Sequence, residues 1–121
     1  MIGIIDYGSG NFASVCNAFN MLNKEILTIT SKKDFPRCSH IVLPGVGSFG
    51  SAMDKLNKMD IIDTLNEYVN VKKINFLGIC VGMQLLADVG YEFGEHAGLG
   101  YVHGSIEKLK IDKSDLPLPH M

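Results

Sequence analysis

Apolar positions along this chain fall into two kinds of run. Ile2-Gly3-Ile4-Ile5, residues 26–30 and Ile41-Val42-Leu43 are short, β-branched and nearly continuous. So is Ile74-Asn75-Phe76-Leu77-Gly78-Ile79. Such runs predict strands covered on both faces. Between them the spacing changes to that of a helix with one buried face. Phe12, Val15, Cys16, Phe19 and Leu22 share a stripe, residues 49–57 and 61–69 give two more helices, and Met83, Leu85, Leu86 and Ala87 carry a fourth. After Asp88 the chain turns glycine-rich, and residues 105–111 predict a last strand.

Strand and helix in alternation give an α/β domain: a three-layer, doubly wound, mostly parallel sheet with helices on both faces. No repeat or linker breaks the sequence, so residues 1–121 are expected to form one domain. Gly8 and Gly10, then Gly45, Gly47 and Gly50, then Gly78 and Gly82 all follow strand ends. In an open parallel sheet these ends share one edge, where ligands bind. The expectation is a site assembled from three glycine-bearing loops and their backbone amides.

Composition narrows the class. The chain has 46% hydrophobic and 20% charged residues, enough for a core and too few charges for disorder. A formal charge of −2 argues against a nucleic-acid groove or a basic membrane surface. No apolar run approaches the roughly 18–20 residues of a membrane span, and the start lacks the basic region of a secretion signal. Cys16, Cys38 and Cys80 form no paired motif, so a disulfide scaffold or a zinc site is not expected. A cytoplasmic, enzyme-like domain with no metal or cofactor is the expectation.

The sharpest chemical signal is Gly78-Ile79-Cys80-Val81-Gly82, a nucleophile elbow with cysteine at its centre. A strand turning abruptly into a helix holds the central residue in a strained conformation, and glycines two positions away relieve the crowding. The helix beginning at Val81 directs its positive end at the sulfur and favours the thiolate. The Val81 N–H is available to an oxyanion. The competing reading is a buried cysteine in an ordinary strand–helix turn. Leu43-Pro44-Gly45-Val46-Gly47-Ser48 exposes further backbone donors, of which Val46 or Gly47 suits a second oxyanion contact. Gly8-Ser9-Gly10-Asn11-Phe12-Ala13 matches the dinucleotide fingerprint in form, but no acid stands at the end of the second strand to bind a ribose. A tight turn presenting Asn11 is the better reading. His40 falls at the opposite edge from Cys80, and His96, His103 and His120 have no spacing that makes any of them its base.

Taken together, three strings resemble the class I, triad-type glutamine amidotransferases. They are Ile5-Asp6-Tyr7-Gly8-Ser9-Gly10-Asn11, Ile41-Val42-Leu43-Pro44-Gly45-Val46-Gly47-Ser48-Phe49 and Phe76-Leu77-Gly78-Ile79-Cys80-Val81-Gly82-Met83-Gln84-Leu85-Leu86. The resemblance is strongest to the glutaminase subunits of imidazole glycerol phosphate synthases. Weaker matches are Gly98-Leu99-Gly100 and Pro119-His120-Met121. The resemblance implies that Cys80 attacks the side-chain amide of glutamine to give a thioester and ammonia. It implies oxyanion donors at Val81 and at Val46 or Gly47, and a glutamine pocket lined by Gly45. Gln84 and Glu92 would hold the substrate's α-amino and carboxylate groups, with Glu95 a rival for Glu92. Asn11 would face a (β/α)₈-barrel cyclase subunit that receives the ammonia. The family's catalytic His and Glu come from a later part of its chain, so an amino-terminal portion with little activity alone is the expectation. An amidotransferase feeding surface-sugar synthesis and a non-catalytic module of the same fold are the alternatives.

Overall fold

The computed structural model describes residues 1–110 of the 121. The four apolar runs form four parallel strands: β1 (Ile2–Ile5), β2 (Ile26–Ile29), β3 (His40–Leu43) and β4 (Asn75–Gly78). Their order is β2-β1-β3-β4. The chain therefore winds one way from β1 to β2 and the other way from β3 to β4. The winding reverses between β1 and β3, and the loops after these two strands flank the crevice where such sheets bind ligands.

Side chains alternate across the sheet. Ile4 and Val42 face one way and pack with Val15 of α1 (Phe12–Met21). Ile5, Ile29, Ile41 and Leu43 face the other way. There they meet Phe35, which lies in a 3₁₀ segment (Lys32–Arg37), and residues of α2 (Phe49–Lys58) and α3 (Ile62–Asn66). Both faces are covered around β1 and β3, but the expectation of cover on both faces is not met at β4: Leu77, beside Val42 on the α1 face, is 50% exposed because α1 does not reach that edge. The expected helix over 61–69 differs in detail: α3 stops at Asn66 and a π-helical turn (Glu67–Val71) continues it.

Beyond β4 comes α4 (Val81–Gln84), one turn long. The helix expected to run through Ala87 gives way to turns after Gln84: Leu86 and Ala87 donate to the Met83 and Gln84 carbonyls three residues back, and Leu99 and Val102 take the Leu85 and Leu86 carbonyls. The glycine-rich segment forms a second small sheet from β5 (Val89–Gly90), β6 (His96–Ala97) and β7 (Ser105–Ile106), in the order β6-β5-β7. β5 pairs antiparallel with β6 and parallel with β7. The strand expected over 105–111 is only two residues long, since β5 offers it two partners. Its last residue, 111, and the Pro119-His120-Met121 string lie outside the described residues.

Candidate active site

Cys80 stands where β4 breaks into α4, with φ 55° and ψ −123°. A non-glycine residue at positive φ is uncommon, and holding it there costs of order 1–3 kcal/mol. The surrounding contacts show what enforces the corner. A Cβ on Gly78 would stand 2.6 Å from the Met83 Cα, and one on Gly82 would overlap the Leu43 carbonyl oxygen. Both glycines let the first turn of α4 lie directly against the ends of β3 and β4. Val81 and Leu85 then enter the core, and the cysteine is left exposed.

The Pro-Gly turn after β3 packs against this corner. A Cβ on Gly45 would meet the Gly82 nitrogen at 2.7 Å and the Tyr7 hydroxyl at 2.5 Å. The Tyr7 hydroxyl donates to the buried Pro44 carbonyl at 2.7 Å. Burial pushes the Tyr7 phenol up, more than a hydrogen bond with Ser9 lowers it, so it stays protonated and donating. Thus the first loop, from β1, braces the second.

Val46, Gly47, Ser48, Cys80, Val81, Met83, Gln84, Glu92 and Phe93 line one open cleft of about 710 Å³. Six of the residues singled out from the sequence meet here: Val46, Gly47, Cys80, Val81, Gln84 and Glu92. Gly45 does not line the cleft; it is buried beneath it, where its missing side chain lets the two loops touch. The Val81 N–H is not a free donor either, because it donates to the Gly45 carbonyl at 3.1 Å. Since α4 is a single turn, its dipole at Cys80 is correspondingly small. Asn11 lies elsewhere, accepting a hydrogen bond from the Ser9 hydroxyl and lining an apolar groove with Val15, Phe19, Leu22 and Ile79.

Glu92 reaches the cleft from the turn between β5 and β6. Its carboxylate accepts the Phe49 N–H at 3.3 Å, at the start of α2. Glu95, the rival acid, is not among the residues lining the cleft. Sequence reasoning missed Ser48, Met83 and Phe93 as lining residues. Phe93 is exposed at positive φ on the β5–β6 turn, and nothing in the pattern around it marks that position.

No histidine lines the cleft among the described residues. His40 sits at the far edge, beside Asn75 and Ser39. His103 lies 3.5 Å from Asp88, and His120 is outside the described residues. Among the described residues no group of three or more His, Cys, Asp or Glu is arranged to hold a metal ion. No described helix is long and apolar enough to cross a membrane.

This arrangement, an exposed cysteine at a strained strand–helix corner facing a Pro-Gly turn, can be compared with known proteins. The profile of the class-I glutamine amidotransferases matches residues 3–114. The chain belongs to the class-I glutamine amidotransferase family. Among its curated relatives, the imidazole glycerol phosphate synthase subunit HisH of Leptospira interrogans is 44% identical over 115 residues, covering 95% of this chain and 56% of the relative. The HisH subunit of Zymomonas mobilis is 44% identical over 124 residues, covering 99% and 58%. That of Bacillus cereus is 42% identical over 121 residues, covering 100% and 56%. The chain thus spans between 56% and 60% of the length of these and similar relatives. A crystal structure of a glutamine amidotransferase shares the fold with a TM-score of 0.69 at 20% identity, over 81% of this chain and 51% of that one.

Proposed function

We propose that the chain forms the nucleophile-bearing part of a glutaminase subunit of imidazole glycerol phosphate synthase. The observation that carries this reading is the exposed Cys80 at φ 55°, in one cleft with the Pro-Gly turn, Gln84 and Glu92. The sulfur attacks the side-chain amide carbon of glutamine; the carbon–nitrogen bond breaks and ammonia leaves with the thiol proton. Water then cleaves the thioester, giving glutamate and restoring the thiol. Glu92 offers a negative charge to the substrate's α-ammonium, and Gln84 offers its amide to the α-carboxylate.

Oxyanion stabilisation needs a rearrangement in this scheme. The Gly45 carbonyl occupies the Val81 N–H, and in the same trans peptide the Val46 N–H points the opposite way. Turning the Gly45–Val46 peptide over would release Val81 and bring the Val46 N–H toward the sulfur in a single motion. Asn11 and its loop would face the barrel subunit that receives the ammonia. Because no described histidine faces Cys80, the chain by itself is proposed to turn glutamine over slowly or not at all. Removing one member of such a triad costs several orders of magnitude in rate.

The reading is tested by alkylation with a chloroketone analogue of glutamine. Saturable labelling of Cys80 ahead of Cys16 and Cys38 supports a formed substrate pocket. Equal labelling of all three thiols refutes it and favours a non-catalytic module. Glutamate release, with and without a barrel cyclase subunit, tests the low activity of the chain alone; fast turnover without a partner would overturn that part.

A further inference from the structure

The turn that carries Glu92 and Phe93 forms the wall of the cleft across from Cys80. β5 and β6 are two residues each, too short to fix the turn between them. The Tyr91 N–H ties its start to the Ile106 carbonyl at 2.9 Å, and the first turn of α2 packs against the rest. The Phe49 ring lies within 2.6 Å of where a Cβ on Gly90 would stand, so it fits only because that residue is glycine, and its tip is 3.0 Å from where one on Gly98 would stand. The His96 ring lies flat over Gly50, where a Cβ would meet its carbon and two nitrogens at 2.6–2.9 Å. Its Nε2 is 3.3 Å from the Phe93 carbonyl oxygen, across the turn that carries Glu92.

We propose that His96 is a positioning residue for Glu92, clamping the Glu92–Phe93 turn onto Gly50 so that the carboxylate meets the α-ammonium of an amino-acid substrate. The inference rests on the glutaminase reading and adds to it the element that sets Glu92's place. Cys80 lies on the opposite wall, so recognition of the ammonium is separable from reactivity of the sulfur. Gly50 makes the idea specific: an alanine there suits a helix better than glycine does, yet its methyl group would displace the imidazole.

The test follows Cys80 alkylation in the full chain with two probes, the chloroketone analogue of glutamine and its N-acetyl form, which lacks the ammonium. His96→Ala is expected to raise the half-saturating concentration of the free-amine probe about tenfold, as for a misplaced charge-assisted contact. Its maximal labelling rate, and its reaction with the N-acetyl probe, should stay as in the wild type. Gly50→Ala should give the same shift without loss of thermal stability. The double variant should be no worse than His96→Ala alone, because the methyl group then occupies the vacated space. Unchanged half-saturation in His96→Ala, parallel loss with both probes, or additive effects in the double variant would overturn the proposal. Absence of saturable labelling in the wild type would overturn the glutaminase reading and this one with it.

Discussion

The two walls of the cleft are built in different ways. The Cys80 wall rests on the four-stranded sheet: Val81 and Leu85 enter the core, Gly78 and Gly82 let backbone touch backbone, and Tyr7 braces the Pro-Gly turn. The Glu92 wall is a turn between two-residue strands, packed against the Phe49 and His96 rings and tied by the Phe49 N–H to the Glu92 carboxylate and by the Tyr91 N–H to the Ile106 carbonyl. The first wall is anchored in the core through Val81 and Leu85, and only the Gly45–Val46 peptide on it is proposed to turn. The second rests on the core chiefly through the buried Phe49 ring. In the proposed reading, reactivity therefore sits on the main sheet and recognition on a turn between two-residue strands.

This contrast can be broken or sharpened by substitution. The largest effect is expected from Cys80→Ala, which removes labelling by the chloroketone by about 10³-fold or more, read by intact-mass spectrometry. Next is Gly82→Ala. Its Cβ would collide with the Leu43 carbonyl, which is backbone and cannot yield, so we expect a loss of about 3 kcal/mol and a melting temperature lower by about 10 °C. Tyr7→Phe leaves the buried Pro44 carbonyl without its donor and should cost about 1–3 kcal/mol by denaturant titration. On the other wall, Glu92→Gln keeps an acceptor for the Phe49 N–H but removes the charge. Half-saturation by the free-amine probe should rise about tenfold, while the denaturation midpoint stays within about 0.5 kcal/mol of wild type. If Glu92→Gln destabilised the chain as much as Gly82→Ala, the division between the walls would fail.

The smallest effect lies outside both walls. The N–H groups of Thr30 and Ser31 hold the Asp34 carboxyl below its usual value. A lowered folded-state pKa means the contribution is present above the ordinary aspartate pKa and is lost as pH falls through the lowered value. The gap in melting temperature between wild type and Asp34→Asn should therefore be small at neutral pH and close in acid.

The main sheet was legible because its signals are local. Four short apolar runs correspond to β1–β4, three of them closely followed by or ending in glycine or proline, and the strain at Cys80 was foreshadowed by glycines two places to either side. The second sheet was not legible. A two-residue strand has no periodicity to read, and the glycines at 90 and 98 look like flexible loop until the Phe49 ring is seen lying against them.

The order of residues alone thus determined a doubly wound α/β domain with a cysteine at a strand–helix corner, because strand pattern and turn chemistry act over a few neighbouring positions. Only the tertiary structure decided that Gly45 is buried rather than lining, that the Val81 N–H is already engaged, and that Glu92 rather than Glu95 reaches the cleft. Each of these depends on groups dozens of residues apart meeting at hydrogen-bond or van der Waals distance, and the pattern along a single chain does not encode which distant partner a backbone donor or a carboxylate will find.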